Sequence, residues 1–133
     1  MEEREQPLVS SEDNGVKITD EVLAIIAGIA ATEVSGVTGM SAGLAGGIAE
    51  ALGRRSLSKG VKVILKEGGA VIDLYVIVEY GIRIPDIAWK IQEKVKSAVE
   101  SMTDIKVSEV NIHIQGINID KEIRKENTNE SSL

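Results

Sequence analysis

Apolar and polar positions divide the chain into a middle that can bury a core and two ends that cannot. Val16-Lys17-Ile18 reads as a short strand. Thr19 follows as an N-cap with Asp20 and Glu21 in the first turn, where the positive end of a helix dipole favours acids, so a helix is expected from Asp20 to about Val34. Its main apolar arc is Val22, Ile25, Ile26, Ile29 and Ala30, and this arc is expected to face the sheet. The opposite side holds Ala24, Ala27, Gly28 and Ala31, and no charge falls from Val22 to Thr32. That uncharged run is about half the length a membrane span requires, so burial between two protein layers explains it better than insertion. A lone chain would expose the small-residue strip unless the glycine-rich segment or a second subunit covered it. Ala24, Ala27, Gly28 and Ala31 are therefore the strip expected to mediate self-association.

Residues 36–60 contain seven of the 13 glycines. Met40 to Leu52 offers at most a marginal helix, because each internal glycine costs about 1 kcal/mol relative to alanine. Beyond it, Val61 to Lys66 alternates, and Val71 to Glu79 carries Ile72, Leu74, Val76 and Val78 on one face. Glu67-Gly68-Gly69-Ala70 between them predicts a hairpin turn. Pro85 suits the first helical position, and Ile87, Ile91, Val95, Ala98 and Met102 then recur at helical spacing. Trp89 falls off that stripe, between Glu93 and Lys96, where a neighbouring loop or a partner would cover it. Val110, Ile112 and Ile114 alternate with Glu109, Asn111 and His113 in a last strand ending near Gly116. The predicted fold class is α+β: a small β-sheet with a central hairpin, helices packed on one face, and the order β-α-(glycine-rich segment)-β-β-α-β.

Charge sharpens the domain boundaries. Residues 1–15 set Glu2, Glu3, Glu5, Glu12 and Asp13 against Arg4 with almost nothing apolar, which predicts a disordered acidic tail. Residues 121–133 form a second, polar tail, leaving 16–120 as a single domain. At 133 residues, 43% hydrophobic and 27% charged, the chain has the composition of one globular unit. With no Phe, one Trp and two Tyr, its core is built from Val, Ile, Leu and Ala, and stacking platforms for single-stranded nucleic acid are nearly absent.

The absence of Cys removes disulfides, thiolate nucleophiles, zinc-thiolate sites and iron-sulfur clusters, and a single His removes multi-histidine metal sites. No cofactor and no metal are expected. The acidic start Met1-Glu2-Glu3-Arg4-Glu5 lacks the basic region of an export signal, so a cytoplasmic location is expected. Gly36-x-x-Gly39 and Gly43-x-x-Gly46 have the wrong spacing for nucleotide-binding loops. His113 beside Glu109 and Asn111 is sparse ligation, and Asp73 and Glu79 stand about 20 Å apart along one strand, too far for a carboxylate pair. The clearest electrostatic feature is Arg54, Arg55, Lys59, Lys62 and Lys66, in a window from Ala51 to Lys66 that contains no acid. It suits an anionic partner, or, at Lys62 and Lys66, the solvated face of an edge strand.

Glu33-Val34-Ser35-Gly36-Val37-Thr38-Gly39-Met40, Lys59-Gly60-Val61-Lys62-Val63, Ile72 to Gly81, Ile84-Pro85 and Val110-Asn111-Ile112-His113-Ile114 together resemble the alkaline shock protein family of bacterial envelope stress response proteins, over about residues 16–120. The resemblance implies a small cytoplasmic protein of mainly Gram-positive bacteria, linked to cell-envelope homeostasis and without established enzymatic activity. It also implies that membrane location comes through a partner, as in members that bind a small integral membrane anchor protein. It carries over no site residues. Two functions follow as expectations: a non-enzymatic module that self-associates and docks on a membrane partner, or a cytoplasmic regulatory module binding a lipid-metabolism enzyme or nucleic acid through the Arg54 to Lys66 window.

Overall fold

The computed structural model describes residues 8–10, 15–41 and 57–119. In chain order the elements are β1 (Leu8–Ser10), β2 (Lys17–Thr19), α1 (Asp20–Thr32), β3 (Val37–Met40), β4 (Val61–Lys66), β5 (Gly69–Glu79), α2 (Ile84–Thr103) and β6 (Val107–Asn118). The fold is α+β, with the predicted succession of strands and helices.

β5 is the centre of the main sheet. Along one edge it pairs antiparallel with β4, from Val61↔Leu74 to Lys66↔Gly69, and beyond that with β3, from Val37↔Val78 to Met40↔Val76. β3 and β4 thus lie end to end on the same side of β5. Their junction is Tyr75, whose backbone N–H donates to Gly60 O and whose carbonyl accepts from Ser41 N, both at 2.8 Å. Gly60 has a φ of +77°, and an added Cβ would stand 2.7 Å from Ser41 O, so only glycine fits this junction. Along its other edge β5 pairs with β6, from Ala70↔Val107 to Glu79↔Asn118. That pairing is parallel, because α2 carries the chain back before β6 begins.

Three local readings change. The glycine-rich segment begins with a strand, β3, whose four residues Val-Thr-Gly-Met give too short a run for alternation to mark. The hairpin turn shrinks to Glu67-Gly68, since Lys66 and Gly69 are already paired. The strand at Lys17–Thr19 pairs outside the main sheet, with Leu8–Ser10, so strand pairing starts N-terminal to the boundary expected at residue 16. The helix considered over Met40 to Leu52 falls mostly outside the described residues.

The helices behave as their ends predict. Thr19 Oγ1 accepts from Val22 N at 3.3 Å as the N-cap of α1. α2 starts at Ile84, with Pro85 in its first turn, and stops at Asp104, which adopts a left-handed φ of 63° while its N–H donates to Glu100 O. Thr103, a buried polar residue, donates to Val99 O at 2.7 Å and accepts from Ile105 N at 3.1 Å, so the turn into β6 satisfies its own polar groups. The core lies between one face of the sheet and both helices. Ile72, Leu74, Val76 and Val78 of β5 are fully buried against Leu23 of α1 and Ile91, Val95 and Val99 of α2.

Candidate interaction surfaces

Helix α1 is turned about its axis relative to the expectation. Ala24, Ala27, Gly28 and Ala31 are buried, and Ala27 and Ala31 belong to the core cluster with the sheet and α2. The strip expected to mediate self-association is therefore covered within the chain. The reason is distance. A Cβ added at Gly28 would stand 3.2 Å from Leu57 O and 3.3 Å from Val61 Cγ2, so the helix lies too close to β4 for larger side chains on that side. β5 and α2 already supply the bulk of the core, and α1 fills what remains with Leu23 and alanines.

The larger residues of α1 are displaced outward. Val22 is 41% exposed and Ile29 45%, although both belong to the arc expected to face the sheet; Ile26 alone of that arc's isoleucines packs against the core. Beside Ile29 opens a groove of about 240 Å³ lined by Gly28, Thr32, Met40, Leu57 and Lys59, with Leu57 67% exposed at its rim. Aliphatic side chains dominate this surface.

The sheet face opposite the helices carries a polar cluster. His113 Nε2 donates to Asp73 Oδ1 at 3.1 Å, and the His113 ring stacks on Tyr75 with centroids 4.4 Å apart and planes inclined by 11°. Nearby, Ser41 Oγ donates to Gln115 Oε1 at 3.3 Å. The partner of His113 is thus Asp73 on the neighbouring strand rather than Glu109 on its own. Among the described residues no group of three or more His, Cys, Asp or Glu is placed to hold a metal ion. The parallel register that sets Tyr75 beside His113 was signalled by the long helix between the two strands, since a helical crossover brings its flanking strands side by side in the same direction.

The basic window does not converge. Arg54 and Arg55 lie outside the described residues. Lys59 borders the groove on the helix side, whereas Lys62 and Lys66 are exposed positions of β4 on either side of the exposed Ile64, with Lys62 opposite Asp73 on the open sheet face. Trp89 is 60% exposed on α2. It shares a stripe with Gln92, Glu93 and Lys96, of which Gln92 Nε2 donates to Val110 O at 2.9 Å on the outer side of β6. No helix among the described residues is long and apolar enough to cross a membrane.

Comparison with known proteins places this architecture. The model of the alkaline shock protein 23 family, described as having a cell envelope-related function, matches residues 9–119. Protein YqhY of Bacillus subtilis strain 168, described as uncharacterized, is 44% identical over 105 residues, covering 79% of this chain and 78% of that protein. A stress response regulator gls24 homolog of Streptococcus pyogenes is 30% identical over 108 residues, covering 80% of this chain and 60% of that one. Among solved structures, a MamM CTD variant aligns with a TM-score of 0.46 and 15% identity over 73% of this chain and 94% of its own. The main sheet, both helices and the buried face described above all fall within the matched residues, and the chain belongs to the alkaline shock protein 23 family.

Proposed function

We propose that this protein is a non-enzymatic interaction module of cell-envelope homeostasis that self-associates and docks on a membrane partner. The family's envelope-related description supports the setting. The observation that carries the docking role is the outer face of α1, where Val22 and Ile29 are exposed beside a groove bordered by Met40 and Leu57. Burying such aliphatic surface gains about 25 cal/mol per Å², and a partner's apolar side chains would supply the cover. In this reading, attachment to a membrane runs through that partner.

The division of Lys59 from Lys62 and Lys66 between two sides of the sheet favours this reading over an anionic partner held by the basic window. Recovery of the tagged protein from its native cells, with and without detergent, tests it. A membrane protein retained by the parent and lost from the Val22→Ser, Ile29→Ser double variant is expected. A soluble enzyme or nucleic acid retained equally by both, and released by salt, would replace this reading with the regulatory one.

A further inference from the structure

β6 spans 12 residues and, among the described residues, pairs only with β5. Its other edge is a row of backbone donors and acceptors with no described strand opposite. The direction of these groups can be followed along the strand. The carbonyls of Lys106 and Asn118 accept from Ala70 N and Tyr80 N on the β5 side, while that of Val110 accepts from Gln92. Backbone groups alternate, with register shifts beside Ala70 and Val76, so Ile112 and Ile114 turn theirs outward together with Val110.

Edge strands are normally protected against pairing by short length, lysine or proline. β4 follows that rule, with six residues and two exposed lysines. β6 is twice as long and contains no Lys, Arg or Pro, and Glu109 is its single carboxylate. Its sequence is also self-complementary. In an antiparallel arrangement about a two-fold axis near Ile112 and His113, Ile112 and Ile114 of one copy meet Val110, Ile112 or Ile114 of the other. Asn111 then faces His113 or Gln115, and Glu109 faces Gln115 or Ile117, so the like charges stay apart. Beside this edge stands Trp89, one turn from the Gln92 that reaches it and displaced toward Ile112, because α2 runs opposite to β6.

We propose that the free edge of β6, flanked by Trp89, is the surface on which a second copy of this chain pairs antiparallel, continuing the sheet from one subunit into the next. This assignment rests on the self-association reading above and names its interface. The backbone of β6 supplies the register, and Trp89 from each subunit covers the seam.

The experiment is sedimentation of the full-length chain over a concentration series, with Asn111→Lys, Trp89→Ser and, as a control on another face, Ile29→Ser, each checked for an unchanged melting temperature. Because the chain has no cysteine, Glu109→Cys, Asn111→Cys, His113→Cys and Gln115→Cys each provide a unique thiol for oxidative cross-linking. A self-associating parent, at least tenfold weaker association for Asn111→Lys and Trp89→Ser but not Ile29→Ser, and disulfide-linked dimers concentrated at positions 111 and 113 are expected. A parent that associates while neither edge variant weakens it and no position cross-links would overturn the β6 assignment and leave self-association standing. A parent that remains monomeric at every concentration would overturn both.

Discussion

The two helices solve the same packing problem in opposite ways. α2 buries the branched residues Ile87, Ile91, Val95 and Val99 and leaves its charged residues outside together with Trp89 and Met102. α1 buries Leu23 together with alanines and Gly28 and leaves Val22 and Ile29 partly exposed. Hydrophobicity drives both arrangements, but the space available decides which apolar side turns inward. α2 packs branched side chains into the core against the sheet, whereas α1 approaches Leu57 and Val61 so closely that a methyl group at Gly28 would crowd them. Apart from Leu23, α1 therefore hides its smaller apolar side and leaves Val22 and Ile29 on the surface proposed above for a partner.

The strongest test of this contrast is a charge on each side of α1. Ala27 is fully buried, so Ala27→Glu places an unpaired carboxylate in the core and should abolish cooperative thermal unfolding, whereas Ile29→Glu should fold with nearly the parent melting temperature. If both variants unfold, or neither does, the orientation of α1 is wrong.

Next in size is Ile91→Ala on α2, which removes a fully buried branched side chain. It should cost about 2–5 kcal/mol in denaturant unfolding. Gly28→Ala measures the closeness of α1 itself. Crowding against Leu57 O and Val61 Cγ2 opposes the roughly 1 kcal/mol gain in helix propensity, and the expected net change is a loss under about 1 kcal/mol. A gain equal to the full propensity difference would show that the contact yields freely.

The smallest expected effect on stability belongs to Val22→Ser with Ile29→Ser, within about 1 kcal/mol by thermal melting, because both positions are exposed in the isolated chain. The same pair should carry the largest effect on partner retention. A large loss of stability without loss of retention would return these residues to the core.

The two sheet edges extend the comparison. β4 alternates Val61, Val63 and Leu65 inward with Lys62, Ile64 and Lys66 outward, so its role as a short edge flanked by lysines was legible from period and charge. β6 showed the same alternation, but Val110 to Ile114 themselves carry no mark of the parallel pairing with β5, whose signal is the long helix before them. That pairing places Tyr75 and Asp73 beside His113 and leaves the opposite edge without a strand among the described residues.

What the amino-acid order determined alone is whatever depends on neighbours within a few residues: the Thr19 cap, the α2 stripe through Ile87, Ile91 and Val95, the alternation of β4 and β5, and the tight turn between them; past Val95 the stripe continues through Val99 and Thr103, and Met102, expected on it, is 68% exposed. Each rests on local geometry, with periods of 3.6 or 2 and a cap one turn from the N–H that donates to it. The tertiary structure decided which side of α1 is buried, that β3 and β4 meet end to end at Tyr75, and that the lysines of one short window separate onto two sides of the sheet. Those outcomes depend on the distance between elements far apart in the chain, and that distance is set only when the bulk of β5 and α2 has filled the core and left α1 room for alanine and glycine.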